Sequence, residues 1–567
     1  MVVGLLVVVL VLALLTLAAR TARAPDGKAR ADGHTVRQLF QYLLLYGLLV
    51  TVAVGLSGLL GRLVEAEVLV RSDRVELARD LAFTVVGGPL LVVVALWSRR
   101  NLARDPGEAR SPGWVFFATA ACLTALVMAM TGLDQALRWA TGLADHDGRA
   151  VARALVWGGL WAGLWWVDGR VTPREHARVH HLAGSLIGLV TAAAGLSALL
   201  TASLRTLTGL DTGAVLAGSG DPITSGAVTV AVGAPVWLLY WVRTAARADP
   251  DPLRLAYLLL PGVAGGLVTA IVAASTLLYS VLVWLLGEPT SGTAAEHFDG
   301  APAAAAAAAV GLLVWWYHQA VLATAGTGPR SETRRVYEYL MAGIALLAAA
   351  GGLLTVVAAL VETAAGPAFV GGSTVNTLLA AATLLVVGAP TWWVYWRRIT
   401  AAVRDTAAEE VGSPSRRVYL YALFGVGTVA AVVALVVAAY LLFQDIVEGS
   451  AGPETLRRMR YAIGALLTAP AIAGYHWTVH RADRTHAPAA ARGPRFLLLI
   501  GPTDRGLARE VARRTGGRVQ AWARADDDDK RDWSADEVLA ALGDTTAEEV
   551  VVLADGTGLR AIPVHRG

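Results

Sequence analysis

Up to about residue 481 the chain alternates long apolar runs with short polar stretches, and then it changes character. A helix that crosses a bilayer needs about 20 mainly apolar residues, because the hydrocarbon core is about 30 Å thick. Thirteen segments meet or approach that length: 2–18, 39–60, 81–97, 114–133, 154–167, 182–204, 224–242, 255–286, 302–317, 336–361, 377–396, 418–443 and 461–477. Segments 154–167 and 302–317 are short and need neighbouring helices to cover them; the second contains an unbroken alanine run over 303–309. Segment 255–286 is longer than a bilayer requires and is expected to tilt or project. The first segment opens Met1-Val2-Val3-Gly4 without charge, and its basic residues Arg20, Arg23, Lys28 and Arg30 follow the apolar run. That order predicts an uncleaved anchor with its N-terminus outside, not a signal peptide.

Composition agrees with the pattern. Of 567 residues, 55% are hydrophobic and 16% charged, with a mean hydropathy of +0.54. Soluble domains carry about 25% charge, so a soluble globule and a disordered chain are excluded. Loops 19–37, 98–113, 168–181, 243–254, 318–335 and 397–417 hold 23 basic residues, and the intervening loops hold 11. Because positive loops stay inside, the richer set is expected to be cytoplasmic. The C-terminus then lies in the cytoplasm of a protein in the cell membrane, surrounded by membrane lipids. Only Lys28 and Lys530 are lysines; the arginines lie scattered between apolar runs and form no basic stripe, so no nucleic-acid partner is expected. The single cysteine, Cys122, permits neither an intramolecular disulfide nor a thiol-based metal site.

Past the first anchor, twelve segments form six hairpins with recurring motifs. Gly87-Gly88-Pro89, Gly233-Ala234-Pro235 and Gly388-Ala389-Pro390 align, and Ala469-Pro470 is a partial copy. Trp237, Tyr240, Trp241 and Arg243 follow the second triplet as Trp392, Tyr395, Trp396 and Arg398 follow the third. Arg334-Arg335-Val336-Tyr337 recurs as Arg416-Arg417-Val418-Tyr419. These copies suggest three four-helix units, at 37–170, 171–330 and 331–481, after an anchor over 1–36; a description as six hairpins stays open. An even number of passes per unit makes them parallel repeats about an axis along the membrane normal. Proline removes a backbone donor, so helix kinks are expected at Pro89, Pro235, Pro390 and Pro470. These repeated motifs resemble a family of bacterial multi-pass membrane proteins known only as a domain of unknown function. The resemblance covers roughly 37–481 and implies a helical membrane fold without a known activity.

After a linker at 482–494, residues 495–567 read as a cytoplasmic α/β domain. Strands are expected at 496–500, 518–523, 549–553 and 559–564, and helices at 503–515 and 534–542. Ser534 and Glu537 have capping-box spacing. The fold class is therefore an all-α polytopic membrane protein of about 13 helices with a small α/β tail. A core made from the tail's own strands and helices predicts that 493–567 folds alone, with modest stability.

Candidate chemistry is sparse. The loop Gly501-Pro502-Thr503-Asp504-Arg505-Gly506 lacks the P-loop lysine, and Asp526 to Asp529 lack EF-hand spacing. His180, His181, His318, His476 and His480 lie near cytoplasmic helix ends, and His476 and His480 have i, i+4 spacing; they could ligate a metal or shuttle protons, but interfacial hydrogen bonding to loops accounts for them better. The sequence assigns no catalytic, cofactor or metal residues. Trp97, Trp237, Trp241, Trp392, Trp393 and Trp396 fit an aromatic belt. Trp237, Tyr240, Trp241, Trp392, Tyr395 and Trp396 also fit a vestibule in which Arg243 and Arg398 hold a lipid phosphate. Without Asp, Glu, Lys or Arg at mid-span, ion-coupled transport loses support. A non-enzymatic scaffold or sensor, its tail meeting a protein partner or small ligand, is the expected function. The alternative is a transporter or channel for a neutral or amphipathic solute.

Overall fold

A computed structural model describes residues 33–564, apart from 66–72, 211–220, 248–250, 325–331, 367–372, 406, 487–493, 502–504, 523–532, 544, 546 and 556–557. The helices are α1 (Gly33–Val64), α2 (Asp73–Val85), α3 (Gly87–Arg104), α4 (Pro112–Ala140), α5 (Gly148–Val171), α6 (Arg174–Thr208) and α7 (Pro222–Trp237). They continue as α8 (Pro252–Tyr257), α9 (Gly266–Leu286), α10 (Ala294–His297), α11 (Ala301–Thr324), α12 (Glu332–Ala364), α13 (Thr374–Asp405), α14 (Ala407–Gly412), α15 (Pro414–Val447) and α16 (Pro453–His486).

Among the described residues, eleven helical segments are long and apolar enough to cross a membrane, against the thirteen expected. Segment 2–18 lies outside the described residues. Segment 461–477 is helical within α16, but Thr468, Pro470, Gly474 and His476 interrupt its apolar run. Large apolar side chains face outward: Val93, Leu347 and Val436 are each more than 60% exposed. Water would make that arrangement costly and lipid makes it free, so the chain is an integral membrane protein.

The chain forms two units. The first runs to Tyr395 and takes in Val433–Thr468; the second comprises Trp396–Val432 and Ala469–Gly567. In the first, α4 is the buried centre, with Phe117, Ala121, Cys122, Leu123 and Leu126 enclosed among neighbouring helices. Sequence fixes its start: Pro112 needs no amide partner at the first helical position, and Ser111 accepts the Trp114 amide. Asp221 caps α7 in the same way. The Thr224 hydroxyl and the amides of Ile223 and Thr224 donate to it, holding its carboxyl below the usual range.

Helices α6 and α7 pack backbone to backbone. A methyl group at Gly188 would lie 2.5 Å from the Trp237 nitrogen, and one at Gly233 would lie 2.5 Å from that of Ala192. Lipid offers no hydrophobic drive between helices, so small residues that allow such approach hold the pair. Two proline-bearing stretches widen into π-type turns, at Leu238–Val242 just after Pro235 and at Leu258–Gly265 around Pro261. Pro89 follows an interruption at Val86, whereas Pro390 and Pro470 lie inside continuous helices.

Within the second unit, the tail contains β1 (Phe496–Ile500), α17 (Arg505–Thr515), β2 (Arg518–Trp522), α18 (Ala535–Leu542), β3 (Glu549–Asp555) and β4 (Gly558–Pro563). The sheet order is β2-β1-β3-β4, with β1 parallel to β2 and β3, and β4 antiparallel to β3. The expected βαβαββ order is present, and so is the Ser534–Glu537 capping box. The acidic run 526–529 and residues 502–504 of the 501–506 loop lie outside the described residues.

Candidate functional site

The close α6–α7 pair brings the start of α6 beside the end of α7. The end of α5 and the start of α8 complete the surroundings of a cavity of about 550 Å3. Arg178 comes from α6, Arg243 and Arg247 from the segment after α7, and Arg254 from α8; Asp168, His181, Thr172 and Asp251 also line it.

Among the described lining residues, arginines outnumber carboxylates. Both oxygens of Asp251 are engaged, one by the Arg178 guanidinium at 2.7 Å and one by the Arg254 amide at 2.7 Å. Arg254 also donates to the Ala246 carbonyl at 2.9 Å, while its buried Nε has no hydrogen-bond partner. Arg243 and Arg247 are exposed at the mouth. Among the described residues, four guanidinium groups thus meet two carboxylates, and one of those two is already committed to Arg178.

The other carboxylate is in the wall. Asp168, at the end of α5, is 4% exposed, and its Oδ2 lies 3.6 Å from His180 Nε2. His180 is 1% exposed. Its Nε2 has no hydrogen-bond partner, and neither does Asp168 Oδ1. His181 stacks against His180, with ring centroids 4.2 Å apart. One ligand atom from each of Asp168, His180 and His181 lies within 4.8 Å of the other two. Trp165 and Tyr240 wall the cluster off, 4.7 Å apart at their centroids, and Trp161 donates to the Tyr240 hydroxyl at 2.7 Å. Tyr240 fits only because Gly184 lacks a side chain: a methyl there would lie 2.4 Å from its ring.

Not every carboxylate at a helix end is left open in this way. Glu108, 2% exposed, accepts from Gln38 on one oxygen and from Tyr42 on the other.

Two further histidines share one environment, each within its own unit. In the first unit, His318 Nδ1 lies 2.8 Å from the Val314 carbonyl, and its ring sits among Trp241, Tyr257 and Tyr317. Trp241 donates to the Tyr317 hydroxyl at 3.0 Å. In the second unit, His476 Nδ1 lies 2.8 Å from the Ile472 carbonyl, among Trp396, Tyr419 and Tyr475. Trp396 donates to the Tyr475 hydroxyl at 2.7 Å. A carbonyl can only accept, so Nδ1 is the donor in both rings. His480 rests instead against Phe424 and Trp477.

These positions bear on the chain's family. Its description reads "Domain of unknown function (DUF5671)", and it matches residues 38–163, 178–301, 263–382 and 335–471. The chain belongs to the DUF5671 family. No curated protein and no solved structure matches this DUF5671 chain. The second match contains His180, His181, Arg243 and Arg254, whereas Asp168 falls between the first and second.

Of the vestibule residues read from sequence, Arg243 lines the cavity. Tyr240 and Trp241 are fully buried in protein, and Trp237 donates to the Tyr257 hydroxyl at 3.2 Å. Tyr395 is buried and shares a 3.0 Å hydroxyl contact with Tyr337. Trp392 is half-buried and Arg398 is exposed. Asp168 was not legible as a site residue, because it lies twelve positions before His180, on another helix. Its only signal was a carboxylate directly after the apolar Leu164–Val167 run.

Proposed function

We propose that this protein is a non-enzymatic membrane receptor that takes a phosphate-bearing ligand, a lipid headgroup or a soluble phosphoester, into the arginine-lined cavity. The observation that carries this reading is the four arginines, Arg178, Arg243, Arg247 and Arg254, that line a cavity of about 550 Å3 and outnumber the two carboxylates lining it among the described residues. The cavity is built from loops 168–181 and 243–254, both in the set with 23 basic residues. On the positive-inside rule that set faces the cytoplasm, where anionic headgroups are concentrated. The α/β tail lies on the same side in this reading and serves as the contact for a protein partner. The full proposed topology is thirteen spans in the cell membrane, with the N-terminus outside and three parallel units over 37–170, 171–330 and 331–481. Its support is the recurrence of the proline triplets and of the Trp-to-Tyr hydrogen bond. Helix kinks at Pro89, Pro235, Pro390 and Pro470 belong to the same proposal.

Native mass spectrometry of the full chain with phosphatidylglycerol or phosphatidylcholine tests the ligand. The anionic lipid is expected to be retained preferentially, and the double variant Arg243→Gln/Arg247→Gln to weaken it about thirtyfold, at about 1 kcal/mol per arginine. Competition by inorganic phosphate distinguishes a soluble ligand from a lipid. Equal retention by the double variant removes the reading.

Topology has its own test. Cys122 is fully buried, so cysteines placed at Ala295 and Arg495 report against a quiet background. An impermeant maleimide is expected to label position 295 on intact cells, and position 495 only after permeabilisation. The reverse pattern would invert the topology.

A second reading, a carrier of an amphipathic solute, draws on a groove of about 350 Å3. Its apolar body includes Val127, Ile187 and Val232, and its polar end includes Asp134, Gln135 and Arg138.

A further inference from the structure

We infer that Asp168, His180 and His181 bind a divalent transition-metal ion in the wall of the arginine-lined cavity. Two imidazoles and one carboxylate form a nitrogen–oxygen donor set suited to zinc, iron(II), cobalt(II) or manganese(II). The three side chains bring one ligand atom each within 4.8 Å of the others, from the end of α5 and the first turns of α6.

An independent observation points to a ligand. His180 Nε2 and Asp168 Oδ1 are both buried and both lack a hydrogen-bond partner, and an unpaired buried polar atom is destabilising until something binds it. The 3.6 Å gap between His180 Nε2 and Asp168 Oδ2 is too long for a hydrogen bond, so the pair does not satisfy itself. A cation between them satisfies all three residues. Trp165 and Tyr240 close one side of the cluster, and Asp168 and His181 open on the cavity. Three protein ligands leave a coordination position free, and it faces the space ringed by Arg178, Arg243, Arg247 and Arg254. The occupant of that position rests on the receptor reading; the metal itself rests on the three side chains alone.

The test uses the full chain in detergent, purified without a polyhistidine tag, stripped with EDTA and titrated with cobalt(II) or zinc(II). Wild type is expected to take up one equivalent with a cobalt d–d absorption band, and zinc is expected to raise its thermal midpoint. His180→Ala and Asp168→Asn are expected to weaken binding by more than the ~10–100-fold that loss of an outer-shell partner costs. His480→Ala leaves it unchanged. Absence of both the cobalt band and the zinc-dependent midpoint shift in wild type overturns the inference even if the variants do not fold. A band that persists in folded His180→Ala and Asp168→Asn overturns it as well. Lipid retention measured in EDTA separates the two readings. Headgroup binding that survives without any metal uptake leaves the receptor and removes the metal. Metal uptake with lipid retention indifferent to Arg243→Gln/Arg247→Gln does the reverse.

Discussion

Replacing Asp483 by asparagine is expected to destabilise the second unit by about 3–5 kcal/mol. Arg416 and Asp483 meet in a two-bond clasp, with Nε to Oδ2 at 2.7 Å and Nη2 to Oδ1 at 2.8 Å, and both are buried. Removing the carboxylate's charge takes this two-bond partner away from a buried guanidinium, and that loss exceeds what the pair contributes net. The double replacement Arg416→Met/Asp483→Leu is therefore expected to recover most of the stability. The more exposed pair Arg205 and Asp299 provides the contrast, with a change below about 1 kcal/mol on breaking it. Thermal unfolding in detergent, followed by size-exclusion chromatography, reads all three. A small effect at Asp483, matching that at Asp299, would mean that water reaches the Arg416 site.

Leu499→Ala is expected to abolish cooperative unfolding of the isolated tail, residues 493–567. Leu499 is fully buried in β1 and packs in one cluster with Leu497, Val511, Val538, Val550 and Val552. Every member of that cluster belongs to the tail, which is why the fragment is expected to fold alone. A buried leucine cut to alanine costs about 2–5 kcal/mol, and a core of this size rarely supplies more than about 3–5 kcal/mol. The substitution therefore consumes most of the margin. Circular dichroism of the wild-type fragment should show a cooperative melt, and the variant none. A wild-type fragment that melts without cooperativity would show that the tail depends on the membrane helices.

The elements were legible where a single physical rule governs them. Apolar length gave thirteen segments, of which eleven are helices long and apolar enough to cross a membrane among the described residues, and alternation with capping signals gave the tail's strand and helix order. The π-type turns at Leu238–Val242 and Leu258–Gly265 were not legible, since an extra residue per turn leaves the apolar pattern intact. The site was legible in pieces. His180, His181 and Arg243 stood out by chemistry, but nothing local said that Asp168 would meet the histidines from another helix. Tyr240 and Trp241 looked like belt residues because they are amphipathic rings near a helix end. Their burial depends on partners about 80 positions away, such as Trp161 and Tyr317, and composition carries no trace of that.

Those distant partners have a consequence for biosynthesis. Trp161 bonds Tyr240, Trp241 bonds Tyr317, and Trp396 bonds Tyr475, across 79, 76 and 79 residues. Each latch joins one long helix to the second long helix after it. It can close as soon as that helix has been made, without waiting for the C-terminus. Tyr240 and Trp241, adjacent in the chain, serve successive latches, so closing the first sets the donor of the second. A ribosome stalled between hairpins leaves the latches already made intact and only the next one open.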